Sequence, residues 1–131
     1  MKLNLFKKLK EMKILLIDDD EWIRDSLSLF FENEGCYIKA LETAEEGVKE
    51  LKNQTYDIII VDYKLPGMDG LEFLKLVKTL HPHAMTILTT AYGRKDIFLA
   101  ARKIGIKDFI DKPFTTQTIE ESLARLMEVR D

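Results

Sequence analysis

Four apolar runs in this chain each stop at a residue with reactive chemistry, and this pattern limits the folds open to it more than any other feature. Ile14-Leu15-Leu16-Ile17 ends at Asp18-Asp19-Asp20, Ile58-Ile59-Ile60-Val61 at Asp62, Ile87-Leu88-Thr89 at Thr90, and Phe109-Ile110-Asp111 at Lys112. Short continuous apolar runs rich in β-branched residues suit strands buried on both faces, as in a parallel sheet. Parallel strands of one open sheet gather their carboxyl ends at one edge, where such sheets hold ligands. These acids, a hydroxyl and an ammonium would then share one pocket.

Between these runs the chain alternates. Residues 13–17 read as a strand, and 21–34 carry Trp22, Ile23, Leu27, Leu29, Phe30 and Phe31 on a helical period that Gly35 is placed to stop. A second strand follows at 36–41 and a helix at about 43–53. Residues 56–61 form the most apolar strand, expected at the sheet centre. The loop 65–70 is marked by Pro66, Gly67 and Gly70. Then come a helix (71–80), a strand (84–89), a helix after Gly93 that ends near Gly105, a strand (107–111) and a closing helix (115–129). Five βα units predict an α/β fold, a doubly wound five-stranded parallel sheet.

A chain of 131 residues with 46% hydrophobic content supports one domain with a real core. Its net charge of −3 offers no basic field for nucleic acid. The single cysteine, Cys36, leaves no internal disulfide, which fits a reducing cytoplasm. No apolar stretch approaches the roughly 20 residues of a membrane helix, and lysines interrupt the first ten residues too often for a signal peptide. Residues 1–12 read as an extension to a domain at 13–130. Leu3, Phe6 and Leu9 have the spacing of a short amphipathic anchor, but chain ends are usually poorly ordered, so the segment is expected to be a frayed lead-in.

An acidic run such as Asp18-Asp19-Asp20-Glu21 commonly just caps a helix. Asp62, at the end of a buried strand, changes that. Two carboxylates 4 Å apart repel by roughly 4 kcal/mol at an effective dielectric of about 20, which one lysine only partly offsets. A divalent cation resolves the conflict, and an all-oxygen set favours Mg²⁺ with water and phosphate oxygens as its other ligands. Aspartate can act as a nucleophile toward phosphorus, and Asp62 stands apart from the cluster. Lys112 suits a phosphoryl oxygen and Thr90 can donate to another. Taken singly, Thr90 is an ordinary strand-end threonine and Lys112 a solvated lysine.

These residues carry a resemblance to the receiver domains of bacterial two-component response regulators. It rests on Ile-Asp-Asp-Asp at 17–20, Val-Asp-Tyr-Lys-Leu-Pro-Gly-Met-Asp-Gly at 61–70, Thr-Ala-Tyr-Gly at 90–93 and Asp-Phe-Ile-Asp-Lys-Pro-Phe at 108–114, and spans about 12–129. The resemblance implies a flavodoxin-like fold with Asp62 as phosphoacceptor. It further implies Asp18, Asp19, Asp62 and the backbone carbonyl of Lys64 around Mg²⁺ or Mn²⁺, Asp18 largely through water. Thr90 would be the switch hydroxyl, Lys112 the phosphate-binding lysine, Phe109 the rotating aromatic, and Lys112-Pro113 a cis bond. The domain would take its phosphoryl group from a sensor histidine kinase or histidine phosphotransfer protein. It would catalyse that transfer and its own dephosphorylation, and signal to an output domain or partner through the fourth helix, fifth strand and fifth helix of the alternation, the α4-β5-α5 face of the family. Ile97 and Phe98 are contact candidates there, with ordinary core packing as the plain alternative.

The chain departs from the family pattern at three places, and Lys64 and Tyr92 bear on a separate expectation. Asp20 replaces a glutamate, and strand alternation would place it on the same side as Asp18. Phe109 stands where many members have tyrosine. Lys107 and Glu120 reverse the charges of the dimerising winged-helix subclass. Lys64 and Tyr92 are expected to crowd the path of water to the acyl phosphate. Three alternatives remain: a haloacid-dehalogenase-type phosphatase with Asp18 as nucleophile and Asp20 as acid/base, a degenerate receiver serving only as a binding module, and a flavin carrier.

Overall fold

The computed structural model describes residues 2–91, 95–106 and 108–128. Its elements are α1 (Lys2–Leu9), β1 (Lys13–Ile17), α2 (Glu21–Asn33), β2 (Tyr37–Leu41), α3 (Ala44–Asn53), β3 (Ile58–Asp62), α4 (Gly70–Leu80), β4 (Met85–Thr90), α5 (Lys95–Lys103), β5 (Asp108–Asp111) and α6 (Thr116–Leu126). The strands form one parallel sheet in the order β2-β1-β3-β4-β5, with β3 central and buried at all five residues. Lys107, Gly93, Tyr92 and Val129, which figured in the sequence reading, lie outside the described residues.

Strand alternation builds two core layers on opposite faces of the sheet. Ile14, Leu16, Ile58, Ile60, Ile87 and Ile110 meet Leu27 and Phe31 of α2 and Ile119 and Leu123 of α6. Leu15, Ile17, Ile59, Val61 and Leu88 meet Leu51 of α3, Phe73, Leu74 and Val77 of α4, and Ile97 and Ala101 of α5. Helix starts are set by short polar caps: Asp20 for α2, and reciprocal capping boxes at Thr43/Glu46, Asp69/Glu72 and Thr115/Thr118. Gly35, at φ +78°, ends α2 where a side chain would be strained.

The lead-in is not frayed. Residues Lys2–Leu9 form a helix whose Leu5, Phe6 and Leu9 are 1%, 5% and 0% exposed, and the ring of Phe6 meets Phe30 edge-to-face at 5.8 Å. An isolated eight-residue helix is marginal in water. Its order comes from docking an apolar stripe on α2 and α6, beside the partly buried Leu126 and Met127. The sequence reading missed this because the helical spacing could not say what surface lay opposite. None of the described helices is long and apolar enough to cross a membrane. Leu9→Ala should destabilise the fold by about 2–5 kcal/mol in urea denaturation, whereas Lys8→Ala on the exposed side of α1 should stay within about 0.5 kcal/mol.

Candidate functional site

The ends of β1, β3, β4 and β5 meet because the strands are in register: Ile17 pairs with Val61, Asp62 with Thr89, and Thr90 with Asp111. Asp18, the first residue past β1, therefore falls beside Asp62. Lys112, just past β5, is tied back by its N–H, which donates to the carbonyl of Thr90 at 2.7 Å, and the Lys112-Pro113 peptide is cis, as expected.

The Lys112 ammonium lies between two buried carboxylates, 2.9 Å from Asp18 Oδ2 and 3.0 Å from Asp62 Oδ2. Asp18 and Asp62 are 1% and 5% exposed. Burial drives the Asp62 carboxyl above its ordinary value, with repulsion from Asp18 adding and Lys112 opposing. Burial pulls the Lys112 ammonium down, yet its bonds to Asp18 and Asp62 outweigh that and leave its pKa raised. One carboxylate oxygen from each of Asp18, Asp19 and Asp62 lies within 4.8 Å of the others. Three carboxylates facing one ammonium leave an excess of negative charge, and the donor set is all oxygen, so these residues fit a hard divalent cation.

Neighbouring groups hold this edge in place. Arg24 Nη1 donates to the Asp18 carbonyl at 2.9 Å, and the Asp20 N–H donates to Asp18 Oδ1 at 2.9 Å. Asp20 itself caps α2, its Oδ1 accepting from the N–H groups of Trp22 and Ile23. The strand alternation that would have put it beside Asp18 does not apply, because β1 has already ended at Ile17. A Cβ on Gly70 would fall against the Asp62 carbonyl oxygen and within 2.9 Å of its carbon, so only glycine lets α4 start there. Glu45 Oε2 accepts from the Met68 N–H at 3.0 Å and steadies the loop that contains Lys64, whose side chain is exposed.

Thr90 is buried, and its hydroxyl donates to Asp111 Oδ1 at 3.4 Å. The hydroxyl that reaches Asp62 belongs to Thr89, which donates to Oδ1 at 3.4 Å and is 1% exposed. Thr89 was missed because its chemistry depends on the β3–β4 register. Phe109 is half-buried, its ring edge-to-face with Phe98 at 4.9 Å. Ile97 is core rather than surface, and Leu99, not singled out from the sequence, is the exposed apolar residue of α5 at 54%. Beside the acids a cleft of about 570 Å³ is lined by Asp20, Trp22, Ile23, Ala91, Lys112, Pro113 and Phe114.

Residues 14–124 match the family model described as the response regulator receiver domain. The chain is 34% identical over 113 residues to the response regulator protein FleR of Pseudomonas aeruginosa, covering 86% of this chain and 24% of that protein. It therefore spans about a quarter of that relative's length. It is 29% identical to the sporulation initiation phosphotransferase F of Bacillus subtilis, over 90% of this chain and 95% of the relative. A CheY-like receiver domain protein from Methanospirillum hungatei, 30% identical, superposes with a TM-score of 0.80 over 89% of this chain and 97% of the other. The beryllofluoride-activated NtrC4 receiver domain, solved as a dimer, is 30% identical with a TM-score of 0.81, covering 88% and 96%.

Because the folded state raises the Asp62 pKa, the folded chain binds protons more tightly than the unfolded one. The associated stability is present below the ordinary aspartate value of about 4 and lost as pH rises through the raised value. Asp62→Asn removes a charge that is costly at neutral pH, while Lys112 keeps Asp18. In chelator at pH 7 the variant should melt above the parent chain, and the gap should close in acid near pH 4.

Proposed function

Since the chain belongs to the response regulator receiver domain family of two-component signalling, with a phosphoacceptor signalling role, we propose that Asp62 is the residue that takes up the phosphoryl group. The observation that carries this reading is the Lys112 ammonium bridging Asp62 and Asp18 at the end of the central strand. It marks Asp62 as a buried carboxylate whose charge is balanced by a group able to follow a transferring phosphate.

Asp18, Asp19 and Asp62, with the backbone carbonyl of Lys64, would hold Mg²⁺ or Mn²⁺. The bound ion supplies charge neutralisation at the phosphoryl oxygens. Asp62 attacks phosphorus, and the bond from phosphorus to the donor's nitrogen breaks with its electron pair leaving on the imidazole. Lys112 stabilises charge on the equatorial oxygens of the transferring group. Later attack by water returns the carboxylate and releases inorganic phosphate.

The donor is a sensor histidine kinase or histidine phosphotransfer protein, in a cytoplasmic setting. Once Asp62 is modified, the Thr90 hydroxyl leaves Asp111 for the phosphoryl group and Phe109 repacks against Phe98. This shifts the population between two packings. The signal leaves through α5, β5 and α6 to an output domain or partner, with Leu99 and Phe98 as contacts; no nucleic acid binds this domain directly.

With Mg²⁺ and acetyl phosphate, intact mass should show one added phosphoryl group. Asp62→Asn or chelation should abolish it, and Lys112→Ala should slow it by about 10²-fold. Labelling that survives Asp62→Asn and vanishes in Asp18→Asn would replace this reading with the phosphatase one. Emission of Trp22, 78% exposed beside the acids, should respond to Mg²⁺ and respond less in Asp19→Asn.

A further inference from the structure

Asp62 has both carboxylate oxygens engaged. Oδ2 is held by Lys112 at 3.0 Å and Oδ1 accepts from the Thr89 hydroxyl at 3.4 Å. The two donors differ in what they can do next. Lys112 sits at the end of a long side chain, partly open to solvent, and can follow charge as it moves onto a phosphoryl group. Thr89 is 1% exposed and is paired with Asp62 across the β3–β4 ladder, so its hydroxyl is confined to the carboxylate itself. Its β-branched side chain has few alternative rotamers.

We propose that Thr89 is a positioning residue that biases Asp62 toward its free, unmodified carboxylate, so that it slows phosphorylation and hastens loss of the phosphoryl group. The inference rests on Asp62 being the acceptor. When the Oδ–P bond forms, an electron pair of the carboxylate becomes that bond and the negative charge moves to the phosphoryl oxygens. A donor fixed on the carboxylate loses strength as this happens, so it stabilises the starting state more than the transition state and raises the barrier. In hydrolysis, water adds to phosphorus, and the P–Oδ bond returns its pair to the carboxylate. The same hydroxyl then meets growing charge and lowers that barrier. One buried hydrogen bond thus works against the phosphorylated state in both directions.

Thr90, the adjacent residue, points to the opposite core layer and cannot do this from its place beside Asp111. The chain therefore carries two consecutive hydroxyls with separate tasks, Thr89 on the acceptor and Thr90 toward the helix face that signals.

The test compares the full chain with Thr89→Val, Thr89→Ala and Thr89→Ser. With saturating Mg²⁺ and acetyl phosphate, followed by intact mass, Thr89→Val should acquire label about threefold to tenfold faster and lose it more slowly by a similar factor. Thr89→Ala should change both rates in the same directions, which covers the case in which valine does not fold. Thr89→Ser keeps the hydroxyl and should return both rates toward the parent. A purely structural threonine would move the urea midpoint and leave the rates in place. Rates unchanged or slower on loss of the hydroxyl, or valine and serine variants that behave alike, would overturn the inference and leave Asp62 as acceptor. Failure of the parent chain to label on Asp62 would overturn both readings.

Discussion

The contact of the Lys112 ammonium with Asp18 and Asp62 is the constraint on which the rest of this structure depends. Two carboxylates at the dry edge of a sheet repel strongly, and an unpaired buried charge is among the costliest features a fold can contain. Lys112 reaches them because β5 ends beside β4, where its N–H bonds to the Thr90 carbonyl. Asp18 is held by its own short turn, through the Asp20 N–H and the Arg24 guanidinium. The arrangement still leaves excess negative charge, which suits a cation and a phosphoryl group arriving together.

Strand alternation divides the work of the site between the two faces of the sheet. Asp62 and Thr89 lie on the side of α2 and α6, whereas Thr90, Asp111 and Phe109 lie on the side of α5. The proposed acceptor and the proposed signalling face are therefore separated by the thickness of one strand. They are coupled through residues that neighbour each other in the chain. On the first of these faces α1 adds Leu5, Phe6 and Leu9 to the core, tying α2 to α6 at a distance from the acids. That helix precedes the residues matched by the family model.

The strand runs, the central place of β3 and the gathering of Asp18, Asp62, Thr90 and Lys112 at one edge were legible in the sequence. Continuous apolar runs force burial on both faces, and parallel strands must end together. The places of Asp19 and of the Lys64 carbonyl around a metal came from the resemblance to receiver domains, and of the two the structure shows Asp19 close to Asp18 and Asp62. What was not legible depended on partners distant in the chain. Strand alternation would have put Asp20 beside Asp18, but β1 ends before it and it serves as a helix cap. Ile97 proved to be core and Leu99 the exposed apolar residue, because the phase of α5 is fixed by packing against the sheet. Thr89 gained its bond to Asp62 from the register of two strands separated by a helix. The lysine-rich start became an ordered helix because α2 and α6 leave an apolar surface for it. Hydrophobic period and motif order are written along the chain and so determine the fold class and the reactive edge. Register, cap and docking are decided by the three-dimensional structure alone, because each depends on the position of a group that local sequence does not specify.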